Sequence, residues 1–173
     1  MKKRMEEKVP ASIQDFRLPR YDEIPNVGLY LEQTTKYISE YLEPLQDITI
    51  TGSMISNYVK KKLISNPIKK QYYREQIAYL IFIAISKTVL SLDNIGILLE
   101  KQKQTYESHT AYNYFCSEFE SIIHQIFGIK DAQDKIDHQD SEDRILLRNI
   151  IITIAHKIHL DNYFTTMNAS KIQ

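Results

Sequence analysis

The chain has 173 residues of 43% apolar composition, enough to bury one sizeable core, which excludes a chain disordered throughout. Four glycines and five prolines supply too few reversals for a sandwich or barrel, so a mostly helical, all-α fold is expected. Formal net charge is zero, yet the six basic residues between Thr49 and Arg74 have no acid among them, leaving 16 basic against 22 acidic residues elsewhere.

Cys116 is the only cysteine, which excludes an intramolecular disulfide and a thiolate zinc cluster and fits a reducing compartment. The amino terminus is charged, with no apolar stretch behind it, so export is not expected. The longest apolar run, Ile77 to Ile85, is nine residues. A spanning helix needs about 20, so a soluble, cytoplasmic protein with no membrane partner is expected.

Residues 1–20 carry charge clusters and two prolines without a sustained period and read as a flexible arm. From Pro25 a helix is expected, with Val27, Leu31, Thr34, Ile38, Tyr41 and Leu45 on one stripe and Pro44 ending it. Thr51 then suits the N-cap of a helix to about Lys61, with Ile55, Tyr58 and Val59 inward. Asn66-Pro67 forbids a continuing helix, and the residues flanking it are able to pair as a small hairpin.

Arg74 to Val89 is apolar on nearly every side and is expected to lie buried between layers. Ser91 caps a short helix bearing Ile95, Leu98 and Leu99. Two long helices follow, Thr110 to Phe127 with Gly128 as C-cap, and Ser141 to about Phe164, joined by the polar stretch Lys130 to Gln139. The division expected is 1–20 arm, 21–100 reading head and 101–173 helical half.

The order of capped helix, hairpin with two lysines, buried helix and second capped helix is that of a winged helix-turn-helix. In such a unit Ser53, Met54, Ser56 and Asn57 face outward near the helix N-terminus, where base edges are read, and Lys60 and Lys61 follow one turn later. Lys69 and Lys70 sit on the wing, where they neutralise phosphates. Thr51, Tyr58, Tyr72 and Arg74 complete the candidate DNA-contacting set. Tyr72 and Tyr73 flank the wing lysines, either bracing the hairpin, the preferred reading, or touching a sugar-phosphate chain.

Thr51-Gly-Ser-Met-Ile-Ser-Asn-Tyr58-Val-Lys-Lys-Lys62-Leu-Ile64, then Lys70-Gln-Tyr72, Leu80 with Ile83, and Leu90-Ser-Leu-Asp-Asn-Ile95 resemble the DNA-binding domain of MerR-type transcription regulators over about 50 residues. Serines stand at positions 53 and 56 where that family carries arginines, which makes Asn57 the best direct reader, through adenine N6 and N7. Lys62 replaces the family's glycine at an expected left-handed position. Leu18-Pro-Arg-Tyr-Asp-Glu-Ile-Pro25 with the block Ile50 to Leu92 resembles a bacterial family known as domain of unknown function 1836. Its members are described as candidate regulators with a MerR-like helix-turn-helix.

The resemblance implies a transcription regulator that binds duplex DNA as a homodimer, the second half supplying dimer contacts or a pocket for an effector of unassigned identity. The rival reading is a protein-interaction module on the same scaffold without DNA binding. No catalytic, cofactor or metal residue is assigned. His156 and His159 stand three apart, with His124 and His138 elsewhere, and read as surface residues; Asp131 to Asp143 lacks the ligand spacing of a calcium loop. Cys116, between Phe115 and Phe119, reads as a small core residue, and no phosphate-binding or nucleophile loop is present.

Overall fold

A computed structural model describes residues 10–129 and 141–171, which form seven α-helices and a two-stranded antiparallel sheet. Among the described residues the fold is all-α apart from that sheet. In order the elements are α1 (Ala11–Gln14), β1 (Leu29–Tyr30), α2 (Leu31–Leu42), α3 (Gly52–Lys60), β2 (Gln71–Tyr72), α4 (Arg74–Ser86), α5 (Leu92–Thr105), α6 (Ser108–Ile126) and α7 (Glu142–Ser170). The linker Lys130 to Gln139, with His138 and most of the acidic run, lies outside the described residues, as do residues 1–9.

Residues 10–20 are not a loose arm. Ile13, Phe16 and Leu18 are buried, and the Phe16 ring meets Phe119 of α6 edge-on at 5.8 Å. Glu120 of α6 fastens the segment: its carboxylate accepts the Leu18 amide at 2.7 Å and the Arg20 guanidinium in bidentate fashion at 2.8 and 2.6 Å. The Tyr112 hydroxyl donates to the Pro19 carbonyl at 2.8 Å, and Asn113 Oδ1 accepts the Tyr21 amide at 2.8 Å. A prolyl segment without helical period still satisfies its backbone groups, but from side chains some 100 residues away.

The helix expected from Pro25 begins only at Leu31, and Val27 is exposed. The preceding residues form β1, which pairs Leu29 with Tyr72 and Tyr30 with Gln71. Gly28 permits this approach, because a Cβ there would come within 2.8 Å of the Gln71 Cβ. Thr34, Ile38 and Leu42 then bury the inner face of α2, and a 3-10 turn containing Pro44 ends it.

Both α2 and α4 start without a side-chain cap from the residue before them and use a glutamine from the first turn instead. Gln33 Oε1 accepts the Tyr30 amide at 2.9 Å, and Gln76 Oε1 accepts the Tyr73 amide at 2.8 Å. Buried Gln76 also donates to the Ser65 and Asn66 carbonyls at 3.0 and 3.2 Å, tying the hairpin base to α4. Helix α4 is the centre of the molecule, with Ile77, Leu80, Ile81, Ile83, Ala84 and Ile85 buried and contacts to α2, α6 and α7. The core runs without a break from Ile13 to Ile158, so the two halves expected on either side of residue 100 share it.

Helix α5 is longer than expected, 14 residues, and is capped as predicted, with the Ser91 hydroxyl accepting the Asn94 amide at 3.2 Å. Gly128, with φ 72°, closes α6. Burial on α7 stops at Ile158, although the helix continues to Ser170 with Leu160, Tyr163, Phe164 and Met167 exposed.

Candidate nucleic-acid interface

The Thr51 hydroxyl accepts the Met54 amide at 3.2 Å and fixes the start of α3. At the other end the Lys62 amide donates to the Val59 carbonyl at 2.9 Å and the Leu63 amide to the Tyr58 carbonyl at 3.0 Å. That pattern is a Schellman motif, with Lys62 in the left-handed region at φ 59° and Leu63 buried beneath it. Ile55 and Tyr58 face the core while Ser53, Ser56, Asn57, Lys60, Lys61 and Lys62 are exposed. A nine-residue helix is thus held at both ends and displays one polar, basic face.

The second component is the hairpin after α3. Ile68 and Gln71 exchange amide-to-carbonyl bonds of 3.0 and 2.9 Å across a two-residue turn, Lys69-Lys70. Both lysines have positive φ, 49° and 64°, the conformation of a type I′ turn that favours Asn-Gly. Holding an L-residue with a Cβ there costs about 1–2 kcal/mol each. A Cβ on Gly52 would lie 3.3 Å from Leu31, and Leu31 follows β1, the partner of β2, so the start of α3 and the strand pair adjoin the same end of α2.

None of Lys60, Lys61, Lys62, Lys69 and Lys70 makes an ion pair among the described residues. Arg74, expected on the same basic face, is turned elsewhere: its Nε donates to the Ile24 carbonyl at 2.8 Å, its Nη2 to the Asp22 carbonyl at 3.3 Å, and its guanidinium lies over the Tyr21 ring at 5.8 Å. Tyr58 and Tyr72 are buried, and burial raises both phenols above their ordinary range. Tyr72 therefore braces the hairpin, whereas Tyr73 is exposed. The exposed groups are a set of lysines with two serines and an asparagine.

Two features escape a reading by residue type. Lys87, after α4, reaches back so that its Nζ lies 3.0 Å from Met54 Sδ at the start of α3, and burial lowers its pKa. No local signal links positions 33 residues apart. Tyr30, Gln71 and Ile68 stand in one cross-strand row, and Tyr30 and Ile68 are 53% and 61% exposed. The alternation around this row was readable in principle, but only once β1 was known to be a strand.

Cys116 is fully buried with its Sγ 3.8 Å from the Pro19 carbonyl, and burial pushes the thiol up to about 12. His159 packs edge-on against Phe127 at 5.0 Å. Among the described residues no three His, Cys, Asp or Glu side chains gather in a metal-binding group, and no helix is long and apolar enough to cross a membrane.

Comparison with known families places these elements in a group. The family described as Domain of unknown function (DUF1836) matches residues 19–115, more than half of the chain. The chain belongs to that family. No curated protein and no solved structure matches it. The DUF1836 match begins at Pro19 and ends just after Tyr112, the two residues joined by the 2.8 Å hydrogen bond. It therefore crosses the boundary expected at residue 100 and includes Tyr112 and Asn113, which hold Pro19 and Tyr21, while Glu120, which holds Leu18 and Arg20, lies beyond it.

Proposed function

We propose that this DUF1836 protein is a transcription regulator that reads duplex DNA with α3 and grips phosphates with the Lys69-Lys70 hairpin, in the manner of a winged helix-turn-helix. One observation carries this reading. Two adjacent lysines stand at turn positions that disfavour them, without an ion-pair partner among the described residues, and strain at an exposed charged site is an indicator of function. Lys60 and Lys61 add phosphate contacts from the end of α3, while Ser53, Ser56 and Asn57 meet base edges or bridging waters. Thr51, Tyr58, Tyr72 and Arg74 act from behind, capping α3 and anchoring the helix and hairpin to the core.

The reading head is small and has no arginine among its exposed groups, so two copies are needed for selectivity, set by half-site spacing. The exposed row Leu160, Tyr163, Phe164 and Met167 on α7 supports a homodimer formed along that helix. Sedimentation at micromolar concentration is expected to show the dimer; a monomer at that concentration contradicts it.

Selection of bound fragments from genomic DNA at two salt concentrations tests the main proposal. A selected motif is expected, and Asn57→Ala should then lose about 1–3 kcal/mol on that motif and little on random DNA. The row Tyr30, Gln71 and Ile68 favours a second reading, a protein-interaction surface on the strand pair. No selected motif, together with an Asn57→Ala variant unchanged on any DNA, would transfer the assignment to that reading.

A further inference from the structure

A cavity of about 170 Å³ opens between α4, α5, α6 and the first two turns of α7. Its wall is apolar and aromatic, with Phe82 and Phe115 in edge contact at 5.0 Å and Leu98 and Leu147 beside them. Its volume suits a single ring: a closed apolar cavity of about 150 Å³ holds benzene, and this pocket, open to solvent beside Glu75, Lys101 and Tyr106, is of similar size.

One end of the cavity is polar, and its proton count does not balance. The Tyr79 hydroxyl lies 2.9 Å from Gln102 Oε1 and 2.9 Å from the Ser108 hydroxyl, and Ser108 lies 2.6 Å from Glu75 Oε1. Gln102 Nε2 donates to the Tyr106 carbonyl at 2.7 Å, which fixes the amide so that only its oxygen faces Tyr79. Three oxygen–oxygen contacts thus share the two hydroxyl protons of Tyr79 and Ser108, since the Gln102 oxygen and the Glu75 carboxylate only accept. Acceptors outnumber donors within this set of four side chains, of which Glu75 is exposed, while Lys101, paired with Asp143 at 2.6 Å, and Arg144 line the pocket elsewhere.

We infer that this cavity binds a neutral, single-ring aromatic molecule carrying one hydroxyl or amino donor, of which phenol is the simplest. The ring fills the space against Phe82 and Phe115, and the donor supplies the proton that the Glu75, Ser108, Tyr79 and Gln102 set lacks. The inference goes beyond the DNA reading and does not depend on it, because ligand binding is measured on the protein alone.

The test is calorimetric titration of the full chain with phenol, with toluene as the ring without a donor and benzoate as the ring bearing a carboxylate. Phenol should bind one-to-one with a dissociation constant of about 0.1–1 mM, as expected for so few atoms. Toluene should bind about tenfold more weakly, and benzoate should give no heat, since it adds acceptors to an acceptor-rich end. Glu75→Gln supplies the missing donor from an exposed position, so the preference for phenol over toluene should vanish while ring binding persists. Ala111→Leu should fill the cavity and abolish binding of both rings.

Absence of phenol binding at millimolar concentration overturns the inference. So does equal affinity for phenol and benzoate, an unchanged phenol preference in Glu75→Gln, or undiminished phenol binding by a folded Ala111→Leu protein. Should Ala111→Leu fail to fold, the Glu75→Gln comparison decides the question alone.

Discussion

The contact between Arg20 and Glu120 and the turn at Lys69-Lys70 treat charge in opposite ways. At the first, a half-buried guanidinium meets a carboxylate that is 13% exposed, in bidentate geometry, and the same carboxylate takes a backbone amide. The hydrogen bonds to Glu120 raise the pKa of Arg20, so the charges hold each other in place. At the second, two like charges sit side by side on a strained backbone, exposed and with no ion-pair partner among the described residues. Charge in the first region stabilises the fold; charge in the second is held against a conformational cost. The difference separates side chains that build the molecule from those available to a partner.

Removing one member of the locked pair gives the largest expected effect. Glu120→Ala leaves Arg20 without its carboxylate and the Leu18 amide without an acceptor, and should lose about 3 kcal/mol in urea unfolding. A loss below about 1 kcal/mol would place Glu120 among ordinary surface residues and dissolve the contrast.

Replacing Lys69-Lys70 by Asn-Gly should act in the opposite direction. The turn chemistry then suits its backbone, and stability is expected to rise by about 1–2 kcal/mol. DNA affinity should fall on all sequences, and the salt dependence should shallow by about two units, one for each phosphate that the turn no longer neutralises. Greater stability with unchanged DNA affinity would separate the strain from the proposed function. The smallest effect is expected at Lys62, which holds the left-handed position of the Schellman motif. Lys62→Gly should stabilise the protein by about 1 kcal/mol, measured by the same unfolding.

Features set by a few adjacent residues were legible. Thr51 and Ser91 were each readable as N-caps, and each accepts the amide three residues on; Ser141, expected only as the start of a helix, does the same. Gly128 and Lys62 were readable as left-handed helix ends, and the burial of α4 followed from an apolar surface with no polar side. The outward face of α3 was legible for the same reason, because a cap and a 3.6-residue period determine which side chains point away from the core, whereas the hairpin expected from the flanks of Asn66-Pro67 turns at Lys69-Lys70 and its β2 pairs with β1.

What the local pattern hid depends on partners far along the chain. Pro25 to Tyr30 kept a helix-like stripe, yet Leu29 and Tyr30 form a strand because β2, some 40 residues later, offers its edge. Residues 10–20 looked like an arm because Glu120, Asn113 and Tyr112, which satisfy that segment, lie about 100 positions away. Arg74 counted as a basic residue of the DNA-facing set until Ile24, Asp22 and Tyr21 captured it. The sequence by itself determined the helical class, the caps, the buried helix and the run of lysines, since propensity and periodicity act over one or two turns. Only the tertiary structure decided which of those charges are locked, which backbone positions are strained and where a cavity remains, since each is settled by packing between segments that no local pattern couples.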